Sequence, residues 1–139
     1  MTPQSIALVR ASWIKVKPLA EPAAERFYSR LFEHYPEIKA LFQEDMIEQR
    51  RKFMAMLDTA VDALDDLDAV LPAIEDLGAQ HASYGVTDAD YDKVADALLW
   101  ALSQELGADF TPEVRAAWTE VYMALAGAMQ EGAAVQCMT

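Results

Sequence analysis

The sequence predicts an all-α protein forming a single domain over residues 1–139, and three observations carry that expectation. Apolar residues recur at spacings of three and four along most of the chain, the period of one helix face. The period-two alternation that marks a half-buried strand is missing. Asparagine is absent and glycine appears only 5 times, mostly where helices should end, so tight hairpin turns have little to be built from. The expected architecture is five long helices with some short pieces.

Thr2-Pro3 reads as a helix start, because a threonine can cap free amides and a proline suits the first turn. Ile6, Val9, Trp13 and Val16 follow on one face, and Pro18 stops that helix. Pro22 restarts the chain in a second helix, with Phe27, Leu31 and Phe32 on its apolar side and Tyr28 adding a hydroxyl. Tyr35-Pro36 ends it, since the residue before a proline is pushed out of helical backbone space. A short turn through Ile38 and Leu41 leads to Phe42, and Gln43 to Ile47, with acids at Glu44 and Asp45, is the least regular connection. The third helix is expected from near Ile47 to about Leu64, with Phe53, Leu57, Val61 and Leu64 inward. One turn before Phe53, Gln49 falls on that same face. Arg50, Arg51 and Lys52 flank it, and Arg50 reads as a solvated side chain.

Asp65-Asp66-Leu67-Asp68 is a polar break. Leu71, Ile74, Leu77 and His81 then form one stripe, with His81 as its last buried member. Ser83, Tyr84, Gly85 and Val86 leave that helix, and Gly85 suits a left-handed turn. Thr87 with Asp90 opens the next, which points Tyr91, Val94, Leu98, Leu102 and Leu106 inward until Gly107 ends it. Thr111-Pro112-Glu113 starts the last helix, with Val114, Trp118, Val121, Leu125 and Met129 along one side and Gly132 expected to loosen the tail.

Composition narrows the function classes. A chain of 139 residues can bury about two thirds of the surface its unfolded form exposes. The charge balance is 11 basic against 23 acidic residues, a net −12 with no basic stripe, which speaks against nucleic acid and anionic membranes as partners. No apolar run reaches the length of a membrane span and the start of the chain lacks a secretory pattern, so the protein is expected to be soluble and cytoplasmic. The one cysteine, Cys137, allows no disulfide framework and reads as an inert tail thiol.

His81 carries the chemical question. An inward imidazole either finds a carbonyl or hydroxyl in the core or gives a nitrogen to a metal. His34, at the exposed end of a helix, reads as a surface residue. One inward histidine is too few for a carboxylate-bridged di-iron bundle or a zinc site. A metal needing a single protein ligand remains, iron already held by four porphyrin nitrogens.

At this point the residues resemble a family. Pro36, Phe42, Gln49, His81, Tyr91, Trp118 and Tyr122, in that order, look like a globin, and the resemblance covers essentially the whole chain. It is nearest in kind to single-domain bacterial globins, which are similar to the haem domain of flavohaemoglobins; Leu77, Gly78, His81, Tyr84, Gly85 and Val86 fit their LGxxHxxYGV phrase. The resemblance implies a three-on-three helical sandwich around haem b (iron protoporphyrin IX). It implies His81 as the proximal iron ligand, Phe42 stacked on the haem, Gln49 at the distal position and Tyr28 over the iron. Phe53 would wall the ligand cavity, Lys52 and Arg51 would meet the propionates, and Leu57, Leu77, Tyr84, Val86, Tyr91 and Val94 would line the pocket. A phenol and an amide above the iron would donate hydrogen bonds where a gas gains negative charge. One position departs from the flavohaemoglobin pattern: the glutamate that bonds the histidine through a tyrosine should fall near Ala133, and the nearest acid, Glu131, lies on another face.

Two functions compete on these terms. One is reversible binding of oxygen or another diatomic gas such as NO or CO. The other is nitric oxide dioxygenation, an enzymatic role that would need a separate flavoprotein reductase. A gas or redox sensor, or a helical interaction module without haem, is the third reading.

Overall fold

The computed structural model describes residues 2–42, 45–83 and 85–138, with the side chains of 83 and 134–138 outside the description. The expectations for Gln43, Glu44 and Tyr84, and for the Cys137 thiol, therefore lie outside the described residues. Six α-helices, joined by short 3-10 turns, account for the described chain: α1 (Pro3–Val16), α2 (Ala20–His34), α3 (Met46–Asp62), α4 (Leu67–Ser83), α5 (Asp88–Leu106) and α6 (Pro112–Met138). That is one long helix more than the expected five, and Pro72 lies in the second turn of α4. The layers α1, α3, α4 and α2, α5, α6 cross one another, with α1 and α4 on α6 and α2 on both α5 and α3.

Most boundaries follow from local chemistry. Thr2 caps α1 by accepting from the Ser5 amide. Pro18 opens a 3-10 turn rather than breaking the chain, so α2 begins at Ala20 and Pro22 lies in its first turn, where a missing N–H costs nothing. Asp45 caps α3 through the Ile47 amide at 2.9 Å, one residue ahead of the expected start. At the far end of α3, the Arg10 guanidinium donates to the carbonyls of Val61 and Asp62 and to the Asp65 carboxylate, using acceptors a helix end leaves open. The Asp90 carboxylate accepts from the Thr87 amide at 2.9 Å, the cap that the Thr87 and Asp90 pair predicts for α5.

The core forms where these faces meet. Trp13 and Trp118 sit 6.1 Å apart between α1 and α6. Their indole nitrogens are both satisfied: Trp118 Nε1 donates to the buried Ser12 hydroxyl, and Trp13 Nε1 to Asp58, each at 2.8 Å. Val9, Val16, Leu31, Leu57, Val61, Leu98, Leu102 and Val121 fill the space between. Met54, which is not part of the stripe expected to face inward on α3, is buried too.

Two expectations about α4 and α6 need correction. The stripe Leu71, Ile74, Leu77, His81 is half-buried throughout, whereas Gly78 is fully covered, because α4 turns its glycine face to α6. Gly132 does not loosen the tail. It is buried inside a helix that continues to Met138, where α6 presses against the backbone of α4 at Glu75.

Candidate functional site

α2 and α3 bring Tyr28 and Gln49 together. The turn of α2 that buries Ala24, Phe27 and Leu31 buries Tyr28 with them. Phe27, Phe42 and Phe53 meet its ring edge-on at 4.8, 5.5 and 5.8 Å, and Phe32 lies tilted beside it. Phe27 and Phe53 stack at 4.4 Å, closing α2 on α3. Aromatic pairs of this kind add about 0.5–1.5 kcal/mol each beyond their buried area. The phenol is thus held by rings on two helices and the corner after α2.

The bond to Gln49 has a direction that matters. The Gln49 amide nitrogen donates to the Tyr28 hydroxyl oxygen at 3.2 Å. The phenolic proton is therefore left to point elsewhere. Burial pushes the Tyr28 phenol up to about 12, with the Gln49 bond and the Arg50 charge pulling the other way. At neutral pH it is a donor and not a phenolate. Arg50 is half-buried and acts on Tyr28, which corrects its reading as a solvated side chain; standing next to Gln49 in sequence was the available signal.

α4 carries His81, which is half-buried. Its Nδ1 lies 2.7 Å from the Leu77 carbonyl oxygen one turn back. A carbonyl can only accept, so Nδ1 carries a proton, and of the two neutral tautomers this bond selects the one with its lone pair on Nε2. Of the alternatives posed for this histidine, the core carbonyl is present for one nitrogen, and Nε2 has no such bond to the Leu77 carbonyl. The end of α4 is fixed close by. Gly85 takes a φ of 94°, the Gly85 amide bonds the Ala82 carbonyl at 3.0 Å, and the Val86 amide bonds the carbonyl of His81 itself at 3.1 Å. This is the glycine-terminated helix end that Gly85 predicts.

The remaining expected residues are placed as follows. Leu57 and Tyr91 are buried, while Phe42, Phe53, Leu77, Val86 and Val94 are half-buried. Lys52 is exposed on α3, and Arg51 is exposed and paired with Glu48. Glu131 is exposed and Ala133 is half-buried. His34 is exposed. The Tyr91 hydroxyl is buried with no hydrogen-bond partner among the described residues, while its backbone carbonyl accepts from Tyr122 at 2.6 Å. Burial, with help from Asp88, raises the Tyr91 phenol.

This donor set suits an iron porphyrin. It offers an imidazole whose Nδ1–H is committed to a carbonyl, a protonated phenol backed by an amide, and a buried hydroxyl on α5 without a hydrogen-bond partner among the described residues.

Comparison with known proteins decides the family. The globin family pattern matches residues 25–129, a span that holds Tyr28, Gln49, His81 and Tyr91. This chain is a globin. Neuroglobins of the fishes Chaenocephalus aceratus and Dissostichus mawsoni are each 31% identical to it over 139 residues, covering 90% of this globin and 87% of theirs. Among solved structures, an engineered carbene transferase made from a putative nitric oxide dioxygenase of Rhodothermus marinus is 30% identical, with a TM-score of 0.86 and coverage of 96% and 94% of the two chains. A hexacoordinated haem protein of an anhydrobiotic tardigrade, 20% identical, shares the fold with a TM-score of 0.84 over 96% of this globin and 95% of that chain. As a globin, the protein is of the kind that holds a haem and binds a diatomic gas. Among the described residues no helix is long and apolar enough to cross a membrane.

Proposed function

We propose that this globin holds haem b through His81 and binds oxygen reversibly, with Tyr28 and Gln49 as the donors to the gas. The haem supplies the iron at which the gas is held. The observation that carries the reading is the direction of the Gln49 to Tyr28 bond, which leaves the phenolic proton free in a buried, ring-walled place. His81 would bind through Nε2, aimed by its bond to the Leu77 carbonyl. Phe27, Phe42 and Phe53 keep water from the phenol, and a donor in such a place is worth more than one in water. Leu57, Leu77, Val86, Tyr91 and Val94 would line the pocket, and Lys52 on the rim of α3 would meet a propionate.

The visible spectrum of the purified protein, ferric, reduced, and reduced with carbon monoxide, tests this. A Soret band that shifts cleanly with carbon monoxide is expected. No Soret band after reconstitution with haemin would withdraw the reading. Split α and β bands in the reduced form before any gas would instead show an internal sixth ligand.

Nitric oxide dioxygenation is the second reading, favoured by the 30% identity to a protein described as a putative nitric oxide dioxygenase. Nitrate formed over many cycles with an added flavoprotein reductase would support it, and a single turnover would count against it.

A further inference from the structure

The approach of α4 to α6 is closer than side chains permit. A methyl group on Gly78 would overlap the Met129 carbonyl and lie 2.5 Å from the Met129 Cα. A methyl group on Gly132 would overlap the Glu75 carbonyl and lie 2.7 Å from the Glu75 Cα. Carbon atoms rest at about 3.5–4.0 Å. The obstacles are backbone on both sides, so no side chain can swing away to make room. The two contacts run in opposite order along the helices, Glu75 against Gly132 and Gly78 against Met129, which makes the pair an antiparallel crossing locked at two points. By contrast, a methyl group on Gly127, in the same helix, would meet nothing within 4 Å.

The locked turn is the one that carries the imidazole. Gly78 follows Leu77, whose carbonyl accepts from His81 Nδ1, and stands one turn before His81 itself. Beyond His81 the chain is pinned again by Val86 on the His81 carbonyl. The height and rotation of this segment are therefore set by how near α4 can come to α6. We infer that Gly78 and Gly132 are positioning residues for the proximal histidine: by allowing backbone-to-backbone contact, they fix where His81 Nε2 meets the iron. The inference rests on the haem-binding reading given above.

The test compares Gly78→Ala, Gly132→Ala and Gly127→Ala in the haemin-loaded protein. Resonance Raman of the reduced forms reads the iron–histidine stretch, which depends on the ring's distance and tilt and which a general loss of stability would not move. The first two variants should shift or broaden that band and release haemin roughly tenfold faster or more, in the range seen when groups orienting a metal ligand are lost. Gly127→Ala should keep the wild-type band. Wild-type bands and release rates in both Gly78→Ala and Gly132→Ala would overturn the inference. Should neither variant fold, hydrogen exchange in the wild-type protein decides. Haemin loading must then slow exchange at residues 129–133 of α6, because coupling between packing and ligation is reciprocal. Unchanged exchange there would overturn the inference as well. A wild-type protein that forms no Soret band would strike the haem-binding reading itself, whereas a normal wild-type band with unmoved variants strikes only this inference.

Discussion

Single atoms in this globin have sharply different consequences. The Ser12 hydroxyl accepts the Trp118 indole at 2.8 Å while bonding back to the carbonyls of Leu8 and Val9, so it closes a buried polar contact between α1 and α6. Ser12→Ala would leave the indole N–H buried without an acceptor, and chemical denaturation should show a loss of about 1–3 kcal/mol. Tyr28→Phe tests the opposite kind of atom, one whose proton matters for the gas and little for the fold. The ring contacts to Phe27, Phe42 and Phe53 survive the change. On the proposed function, stopped-flow oxygen release should quicken by roughly tenfold to a hundredfold, the worth of one hydrogen bond to a charge-bearing acceptor, with the thermal midpoint nearly unmoved. Release at the wild-type rate would remove Tyr28 from the donor role. These two residues also show what a sequence can disclose at this scale. His81 was legible because its spacing from apolar neighbours turns it inward, where it lies half-buried, and Tyr28 was legible through the resemblance to globins. Ser12 and Arg50 were not, since an isolated polar residue reads as solvated until a partner on another helix is known.

At the scale of elements, the helix ends were the most legible feature, because caps are local chemistry: Thr2, the Tyr35-Pro36 pair, Thr87 with Asp90, and Gly85 all act within a few residues of themselves. What local chemistry could not show is how closely two helices approach. Gly78 and Gly132 sit inside helices, where propensity alone makes glycine a cost, and only the crossing of α4 on α6 reveals their use. The contrast yields a pair of predictions. Gly127 faces open space in α6, so Gly127→Ala should stabilise the protein by about 0.5–1 kcal/mol through helix propensity and a less flexible unfolded chain. Gly85→Ala should do the reverse. With φ at 94°, an L side chain is strained there by roughly 1–2 kcal/mol even though the nearest side-chain atom, on Leu41, is at an ordinary 3.7 Å. Because the same turn bonds Val86 to the His81 carbonyl, that variant should also shed haemin faster. Parallel thermal melts and haemin-transfer assays check both.

Across the whole molecule, the response to pH follows from which groups the fold holds neutral and which it holds charged. Asp58, bonded first by the Trp13 indole and then by Lys17, and Asp65, bonded first by Arg10, have carboxyls held below their ordinary range. Their share of stability is present above the unfolded carboxylate range and fades as pH falls through the folded values. The alkaline side is set by phenols. Burial raises Tyr28 from 10.0 to about 12 and raises Tyr122 as well. A raised pKa means that the folded state keeps a proton which the unfolded chain has begun to lose, so stability falls with rising pH between the two values. For Tyr28 alone the fold disfavours the charged form by about 3 kcal/mol, a loss of stability that begins near pH 10 and is complete by about pH 12. Denaturation midpoints measured from pH 8 to 12 should therefore hold nearly level at first and then drop steeply past 10. In Tyr28→Phe the drop should be shallower by that amount, because the removed phenol no longer titrates. An identical alkaline slope in wild type and variant would mean that Tyr28 reaches solvent, and with it would go the case for a dry donor above the iron.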